Sequence, residues 1–183
     1  MARIIHSINA TLSGTCFHED VIADDEHHRY ATELARSADA LLFGRHTYDL
    51  FAEFWPSAMR RKDLSDSVVE LAHVLTEAPK IVISSSDLNA AWKNSTQMDG
   101  PELTSLRTAL FSFNGKIVLF GSPGLASSLA AENLLDEVHV LLQPLFSTRG
   151  PQLPFLWNER PFRNVSADRF ESGVVLLRYE VDA

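Results

Sequence analysis

Gly44 and Gly121 each stand where a short apolar run ends and a helical pattern begins. Glycine lets a ligand approach the backbone closely. The first turn of the following helix offers unpaired N–H groups and the positive end of the helix dipole. Ligands of open α/β sheets bind at the carboxyl ends of the strands, where both junctions should lie. The pair therefore predicts a site for the two ends of a pyrophosphate group.

The residues after Gly44 strengthen this prediction. Arg45 carries a fixed charge that suits phosphate, and Thr47 offers a hydroxyl near the start of the helix. Taken singly, Arg45 is equally explained as a surface or capping charge, and Thr47 as an ordinary helix residue. The chain has neither the three spaced glycines of the dinucleotide fingerprint nor a phosphate loop with its lysine.

The elements that must position these junctions alternate between strand and helix over the first two thirds of the chain. The pattern predicts strands at residues 4–10, 38–43, 80–84, 116–120 and 138–146. It predicts helices at residues 25–37, 46–54, 66–75, 101–113 and 123–131, and a polar loop at 89–100. Asp24 or Asp25 can cap the first helix, Trp55-Pro56 is predicted to end the second, and Ser67 with Glu70 has the spacing of a capping box at the third.

The last third of the chain changes to strand patterns. Residues 162–170 and 174–181 predict two strands joined by a hairpin near 171–173. We therefore expect one α/β domain over residues 1–183, with a mixed, mainly parallel central sheet flanked by helices and antiparallel C-terminal strands. The apolar run at Val174–Leu177 favours association into a homodimer through this end.

Charge and composition limit the classes of partner. The chain has 183 residues and a formal net charge of −8, which argues against nucleic-acid binding but not against an anionic small molecule. Cys16 is the one cysteine, and the adjacent His27 and His28 diverge on a helix, so we expect no disulfide and no metal site. No run approaches the roughly 20 apolar residues of a membrane span. We expect a soluble, cytoplasmic protein that acts on a small molecule.

Several stretches together resemble the dihydrofolate-reductase-like family. They are ADALLFGRHTY at residues 38–48, GSPGLA at 121–126, LLDEV at 134–138 with Pro144 and residues 150–151 after it, and EHHRY at 26–30. Within that family the chain is most similar to the riboflavin-biosynthesis reductase domain and its small stand-alone bacterial members. The Gly-Arg-x-Thr-Tyr core is the specific part of the resemblance, which covers most of the chain.

The resemblance implies NADPH as cofactor, with NADH possible, and a role for particular residues. It places Gly44, Arg45, His46 and Thr47 at the cofactor phosphates, and Ser84, Ser85 and Ser86 beside the adenosine ribose. It places Gly121, Ser122, Gly124 and Leu125 along the pyrophosphate and nicotinamide, and Asn9 with Ala10 facing the nicotinamide. Ser85 stands where relatives that prefer a 2′-phosphate often have arginine, and Ser13 stands where many have aspartate.

Hydride transfer to a ring also needs a proton donor nearby. The candidates are Asp25, His27 and Tyr30, with Asp24 and Glu26 beside them, and a core or capping role is open for each. Phe51, Phe54 and Trp55 are interpreted either as an apolar wall for an aromatic substrate or as core. The expected function is NAD(P)H-dependent reduction of a pteridine- or pyrimidine-like heterocycle, as in 5-amino-6-(5-phosphoribosylamino)uracil reductases. The alternative is a non-catalytic nucleotide-binding or regulatory protein on the same scaffold.

Overall fold

The computed structural model describes residues 2–88, 92–98, 110, 114–153 and 162–181. Its strands are β1 (Arg3–Thr11), β2 (Ala40–Gly44), β3 (Lys80–Ile83), β4 (Ser95–Met98), β5 (Lys116–Phe120), β6 (Glu137–Gln143), β7 (Phe162–Arg169) and β8 (Val175–Val181). Its helices are α1 (Asp25–Arg36), α2 (Arg45–Ala58), α3 (Asp66–Glu77) and α4 (Pro123–Ala131). The predicted helix at 101–113 lies outside the described residues, apart from the buried Leu110.

Within these ranges the strands form one eight-stranded sheet in the order β4-β3-β2-β5-β1-β6-β8-β7. Strand β1 runs parallel to β5 and β6, and β2 runs parallel to β3 and β5. Strand β8 is antiparallel to both β6 and β7. The predicted mainly parallel sheet with an antiparallel C-terminal extension is confirmed, and so is the hairpin between its last two strands.

The central strands are buried on both faces, as their continuous apolar runs require. Because neighbouring residues of a strand point to opposite sides, β2 contributes to two separate cores. Leu41 and Phe43 pack with α1 and α3 on one face, whereas Leu42 packs with α4 on the other. These two layers hold the carboxyl ends of β2 and β5 side by side.

Helix α2 does not end at Trp55-Pro56 as predicted, but continues through Pro56 to Ala58. Proline removes one backbone donor from a helix. Here it lies within three residues of the end, and the turn after it is held by Ala58, which is fully buried. Packing outweighs the local signal at this point.

Helix α3 lacks the predicted capping box. Its N-cap is Ser65 rather than Ser67, and no side chain caps it. The hydroxyl of Ser67 instead donates to Asp25 Oδ1 at 2.5 Å, on the neighbouring helix α1. The predicted cap of α1 is confirmed, because the side chain of Asp24 accepts a hydrogen bond from the His27 N–H.

The loop predicted at residues 89–100 is also wrong in part, because Ser95–Met98 forms strand β4 parallel to β3. Its side chains are polar or half-buried, as an edge strand tolerates, so it lacks the apolar pattern that marks the inner strands. In the part of the chain described, no helix is both long and apolar enough to cross a membrane.

Candidate functional site

The two glycine junctions meet at the carboxyl edge of the sheet. Strands β2 and β5 are direct neighbours, and two hydrogen bonds join the turns that follow them. The N–H of Gly44 donates to Ser122 Oγ at 2.9 Å. The N–H of Ser122 donates to Thr47 Oγ1 at 3.0 Å. The beginnings of helices α2 and α4 are thereby fixed relative to each other.

The backbone at the second junction is left-handed at two successive residues. Gly121 has φ +53° and Ser122 has φ 51°. A Cβ on Gly121 would also lie 3.2 Å from Thr47 Cγ2, so glycine is needed there for conformation and for space. Ser122 tolerates the conformation because its hydroxyl accepts from Gly44 and donates to the Phe120 carbonyl oxygen at 3.0 Å.

A cavity of about 700 Å³ opens above these junctions. Eleven of the cofactor and proton-donor residues predicted from the sequence line it: Asn9, His27, Tyr30, Gly44, Arg45, His46, Thr47, Gly121, Ser122, Gly124 and Leu125. The other predicted residues are not among its lining residues: Ala10, Asp24, Asp25, Glu26, Ser84, Ser85 and Ser86. The predicted phosphate and nicotinamide segments therefore share one cavity.

The first turn of helix α4 faces open space. A Cβ built on Gly124 would meet no atom within 4 Å among the described residues. Ala126 N is the first amide of this helix to bond an earlier carbonyl, that of Ser122 at 3.0 Å. The N–H groups of Gly124 and Leu125 precede it, where a helix leaves its donors without internal partners. These donors and the helix dipole suit an anionic group.

Arg45 links helix α2 to the segment after β3. Its Nε donates to Asp49 at 2.7 Å, and its Nη1 donates to the Ser86 hydroxyl at 3.0 Å and the Asp87 carbonyl at 2.8 Å. The buried Ser84 hydroxyl lies 3.5 Å from the same nitrogen. The structure therefore brings Arg45 together with two of the three predicted serines, and Ser85 is exposed.

Three aromatic side chains of helix α2 form one wall of the cavity, called here the aromatic wall. Phe51, Phe54 and Trp55 all line it. Phe51 and Trp55 also pack against the main core, whereas Phe54 is 38% exposed. All three rings thus line the cavity as a wall, and Phe51 and Trp55 belong to the core as well.

The orientation of Asn9 is set by a chain of hydrogen bonds. The backbone N–H of Ile22 donates to Gln143 Oε1 at 2.9 Å, so the other end of that amide must be its nitrogen. Gln143 Nε2 donates to Asn9 Oδ1 at 2.9 Å. The Asn9 side chain therefore uses its oxygen on this chain and keeps its NH₂ group, a donor, for the cavity.

The same chain fixes the tautomer of His27. Its Nε2 lies 3.2 Å from Asn9 Oδ1, an acceptor, and so carries the hydrogen. Its Nδ1 has no partner among the described residues. Burial, followed by the nearby His28, lowers the pKa of His27 to about 4. The ring is neutral at neutral pH and poorly suited to donate a proton.

The other two candidate donors differ sharply in their surroundings. Asp25 is exposed, and the hydrogen bond from Ser67 lowers the pKa of its carboxyl. Tyr30 is buried in the cavity wall, its pKa is raised by burial, and its hydroxyl lies 2.9 Å from Ser7 Oγ and 2.8 Å from His139 Nδ1. His139 Nε2 in turn donates to Glu137 Oε1 at 2.6 Å.

Sequence reasoning missed Ser7, Glu137, His139 and Gln143. Polar residues at alternate positions of β6, all on one side of the strand, are the signal that could have found the last three. The cavity is also lined by Cys16, Phe17 and His18, from a polar stretch without a recognisable motif. No group of three or more potential ligands for a metal occurs among the described residues.

This topology, with the paired junctions at its carboxyl edge, defines the dihydrofolate-reductase-like class. Dihydrofolate reductase from Enterococcus faecalis, complexed with NADP(H) and RAB-propyl, superposes with a TM-score of 0.65 at 11% identity, covering 99% of this chain and 97% of that one. The RibD C-terminal domain pattern matches residues 1–153, and the chain belongs to that family. The resemblance seen in the sequence is thus confirmed.

Two further solved structures share the fold over the whole chain. A Shewanella sp. PV-4 protein assigned to riboflavin biosynthesis has a TM-score of 0.70 at 16% identity, with 100% of both chains covered. A pyrimidine reductase-like protein from Corynebacterium diphtheriae has a TM-score of 0.66 at 14% identity, covering 100% of this chain and 92% of that one. No match was found among the curated proteins.

Proposed function

We propose that this protein is a reductase that uses a reduced nicotinamide dinucleotide, preferably NADPH, to reduce a pyrimidine- or pteridine-like heterocycle. The observation that carries this proposal is the hydrogen-bonded pair of glycine junctions at the mouth of one cavity of about 700 Å³. Membership of the RibD C-terminal domain family supports it. So does the NADP(H) complex of the structurally similar dihydrofolate reductase.

The residues present fit the cofactor at two places. The open first turn of α4, after the left-handed pair Gly121 and Ser122, suits a pyrophosphate. Arg45, which also pairs with Asp49, forms a polar corner with the hydroxyls of Ser84 and Ser86 at the next strand end. This corner is the basis for preferring NADPH, because Arg45 can supply the guanidinium that the position of Ser85 lacks.

The heterocycle would lie against the aromatic wall. The faces of Phe51, Phe54 and Trp55 can pack on a flat ring. The NH₂ group of Asn9, held in one orientation by Gln143, supplies a donor for a ring carbonyl or carboxamide oxygen. Reduced nicotinamide, when bound, supplies the hydride; the protein binds, orients and shields the two rings from water.

Binding and turnover test this proposal separately. NADPH and NADH are titrated against tryptophan fluorescence, and nucleotide oxidation is then followed with a panel containing dihydrofolate and 5-amino-6-ribosylaminouracil phosphate. We expect saturable binding with NADPH bound more tightly, and turnover of at least one ring substrate. No saturable binding of either nucleotide would contradict the proposal.

Arg45→Ala tests the assigned corner. Loss of a charge-assisted contact costs about 1.5–3 kcal/mol, so NADPH should bind roughly ten- to a hundredfold more weakly. Arg36→Ala is the matched control, because Arg36 pairs with Glu70 on the surface, away from the cavity. Equal NADPH affinity in the Arg45→Ala and Arg36→Ala variants would reject the role of Arg45.

A second candidate function is a nucleotide-binding or regulatory role without catalysis. It is favoured by the surroundings of the predicted donors, because Asp25 lies outside the cavity lining and His27 is neutral with a pKa of about 4. The substrate panel separates the two candidates, since turnover of any ring substrate rejects the second.

Self-association through the C-terminal strands remains part of the proposal; there Val174 and Leu176 are buried and Val175 is half-buried.

A further inference from the structure

A continuous series of side-chain hydrogen bonds runs from the cavity toward the amino-terminal ends of strands β1 and β6. Ser7 Oγ and Tyr30 Oη are 2.9 Å apart, and Tyr30 Oη and His139 Nδ1 are 2.8 Å apart. His139 Nε2 and Glu137 Oε1 are 2.6 Å apart. Arg3, with 43% of its side chain exposed, pairs with Glu137 at 2.8 Å. Ser7 and Tyr30 line the cavity.

The number of protons on His139 decides the direction of every bond in this series. Glu137 is an acceptor, so Nε2 always donates to it. When the ring is neutral, Nδ1 must accept from Tyr30, and Tyr30 accepts from Ser7. When the ring carries a second proton, Nδ1 donates to Tyr30, Tyr30 donates to Ser7, and the hydrogen of Ser7 is left to point elsewhere, which here means into the cavity.

We propose that this series, Ser7–Tyr30–His139–Glu137, delivers the proton that the reduction of the heterocycle requires. The inference rests on the proposed function and extends it to the proton source. In the step, the carbon of a C=N bond of the substrate gains a hydride, with oxidation of the reduced nicotinamide. The π electron pair moves to the nitrogen of that bond, which takes the proton of Ser7 Oγ.

The remaining protons then shift by one place each. Ser7 takes the proton of Tyr30, Tyr30 takes the proton on His139 Nδ1, and the imidazolium becomes neutral. After the product leaves, a proton from water in the cavity returns to His139 by the same two hydroxyls in the reverse direction. The balance is one hydride and one proton added to the C=N bond in each turnover.

The surroundings of the series suit this task. The hydrogen bond from His139 is the first cause that holds the pKa of Glu137 below its usual range, so the carboxylate stays ionised and stabilises the imidazolium. Burial raises the pKa of Tyr30, so its hydroxyl passes a proton on without remaining ionised. Arg178, whose Cζ lies 5.8 Å from the Tyr30 ring centroid, and Arg3 are the cations nearby. Ser7 and His139 are 4% exposed, so bulk water does not compete along the path.

Tyr30→Phe interrupts the series and keeps the packed ring. We expect kcat to fall about a hundredfold, the scale of general acid catalysis, with the Kd for NADPH changed less than about twofold. Imidazole added to the assay, as a small proton carrier that fits the open cavity, should restore part of kcat. Tyr48→Phe is the matched control, because Tyr48 is also buried and its hydroxyl also makes two hydrogen bonds, to Ser95 and Trp92, outside the cavity lining.

The outcomes separate the two proposals. If the wild-type protein neither binds NADPH nor turns over the panel, the proposed function fails and the relay fails with it. If the wild type turns over and Tyr30→Phe matches Tyr48→Phe, only the relay is rejected. A slow Tyr30→Phe variant that imidazole does not rescue also rejects it. If that variant does not fold, Glu137→Gln at the far end serves instead, with a roughly tenfold loss in kcat expected and an unchanged kcat overturning the relay.

Discussion

Replacing Ser122 tests whether one hydroxyl holds the two cofactor-side turns together. Ser122 is 6% exposed, and its Oγ accepts from Gly44 N and donates to Phe120 O. Ser122→Ala removes both bonds and leaves a part-buried N–H without its acceptor, which costs about 2 kcal/mol. For a chain of this size that corresponds to a Tm lower by roughly 4–8 °C.

Ser122→Gly separates the hydroxyl from the backbone. Both variants lose the hydrogen bonds, but glycine relieves a left-handed residue at φ 51°, which is worth roughly 1 kcal/mol. We therefore expect Ser122→Gly to melt about 2–4 °C above Ser122→Ala. Thermal unfolding followed by circular dichroism measures both differences.

Ser128→Ala is the matched control on the same helix, because the one hydrogen bond of its hydroxyl among the described residues is exposed and joins it to the Gly124 carbonyl at 3.3 Å. Its Tm should stay within about 2 °C of the wild type, since exposed substitutions cost roughly 0.5 kcal/mol or less. If Ser122→Ala melts no lower than Ser128→Ala, the two hydrogen bonds of the Ser122 hydroxyl do not stabilise the fold. If the glycine and alanine variants at 122 melt together, the left-handed backbone at this position carries no strain.

Two further predictions concern pH and the rim of the cavity. His6 is fully buried, donates to the Gly121 carbonyl at 2.8 Å, and has its pKa lowered to about 4, chiefly by burial. The imidazole of His6 takes up a proton near pH 6.5 in the unfolded chain but only near pH 4 in the folded chain, so this residue should lower the free energy of unfolding by about 2 kcal/mol between pH 7 and pH 5. Urea unfolding of the wild type and of His6→Gln at both pH values should show a smaller loss of stability in the variant. Equal losses would contradict the assignment. Gly150→Ala would place a Cβ 2.8 Å from Phe17 Cβ at a residue with φ +79°. We therefore expect the variant to be destabilised by at least about 2 kcal/mol and to bind NADPH more weakly. Gly124→Ala is the comparison for stability and should cost less, because the added Cβ meets open space.

The parts of the fold predicted correctly from the sequence are those that local chemistry controls. The runs at β2 and β5 are apolar because both faces are buried, and each is followed by a glycine and a helix. The carboxyl ends of parallel strands lie at the same edge of a sheet, so a mainly parallel sheet predicts that Gly44 and Gly121 lie at that edge together. Eleven predicted residues line one cavity for the same reason.

The errors arise where a distant partner outweighs the local signal. Ser67 has the spacing of a capping residue, yet Asp25, 42 positions away, takes its hydroxyl. Pro56 should stop helix α2, yet the burial of Ala58 extends it. The bond between Tyr30 and His139 joins residues 109 positions apart. No spacing rule connects them, so the proton series became visible only once strand register was known.

The contact between Ile22 and Gln143 makes the cavity sensitive to the segment that precedes helix α1. One backbone N–H holds the Gln143 amide, which orients Asn9, which in turn determines the protonated nitrogen of His27. If Ile22 moves away, the Gln143 amide can rotate and the hydrogen-bonding character of two wall residues can invert without any change in the sheet. Substitutions at Ile22, which is not among the lining residues of the cavity, can thus change substrate choice without touching the substrate.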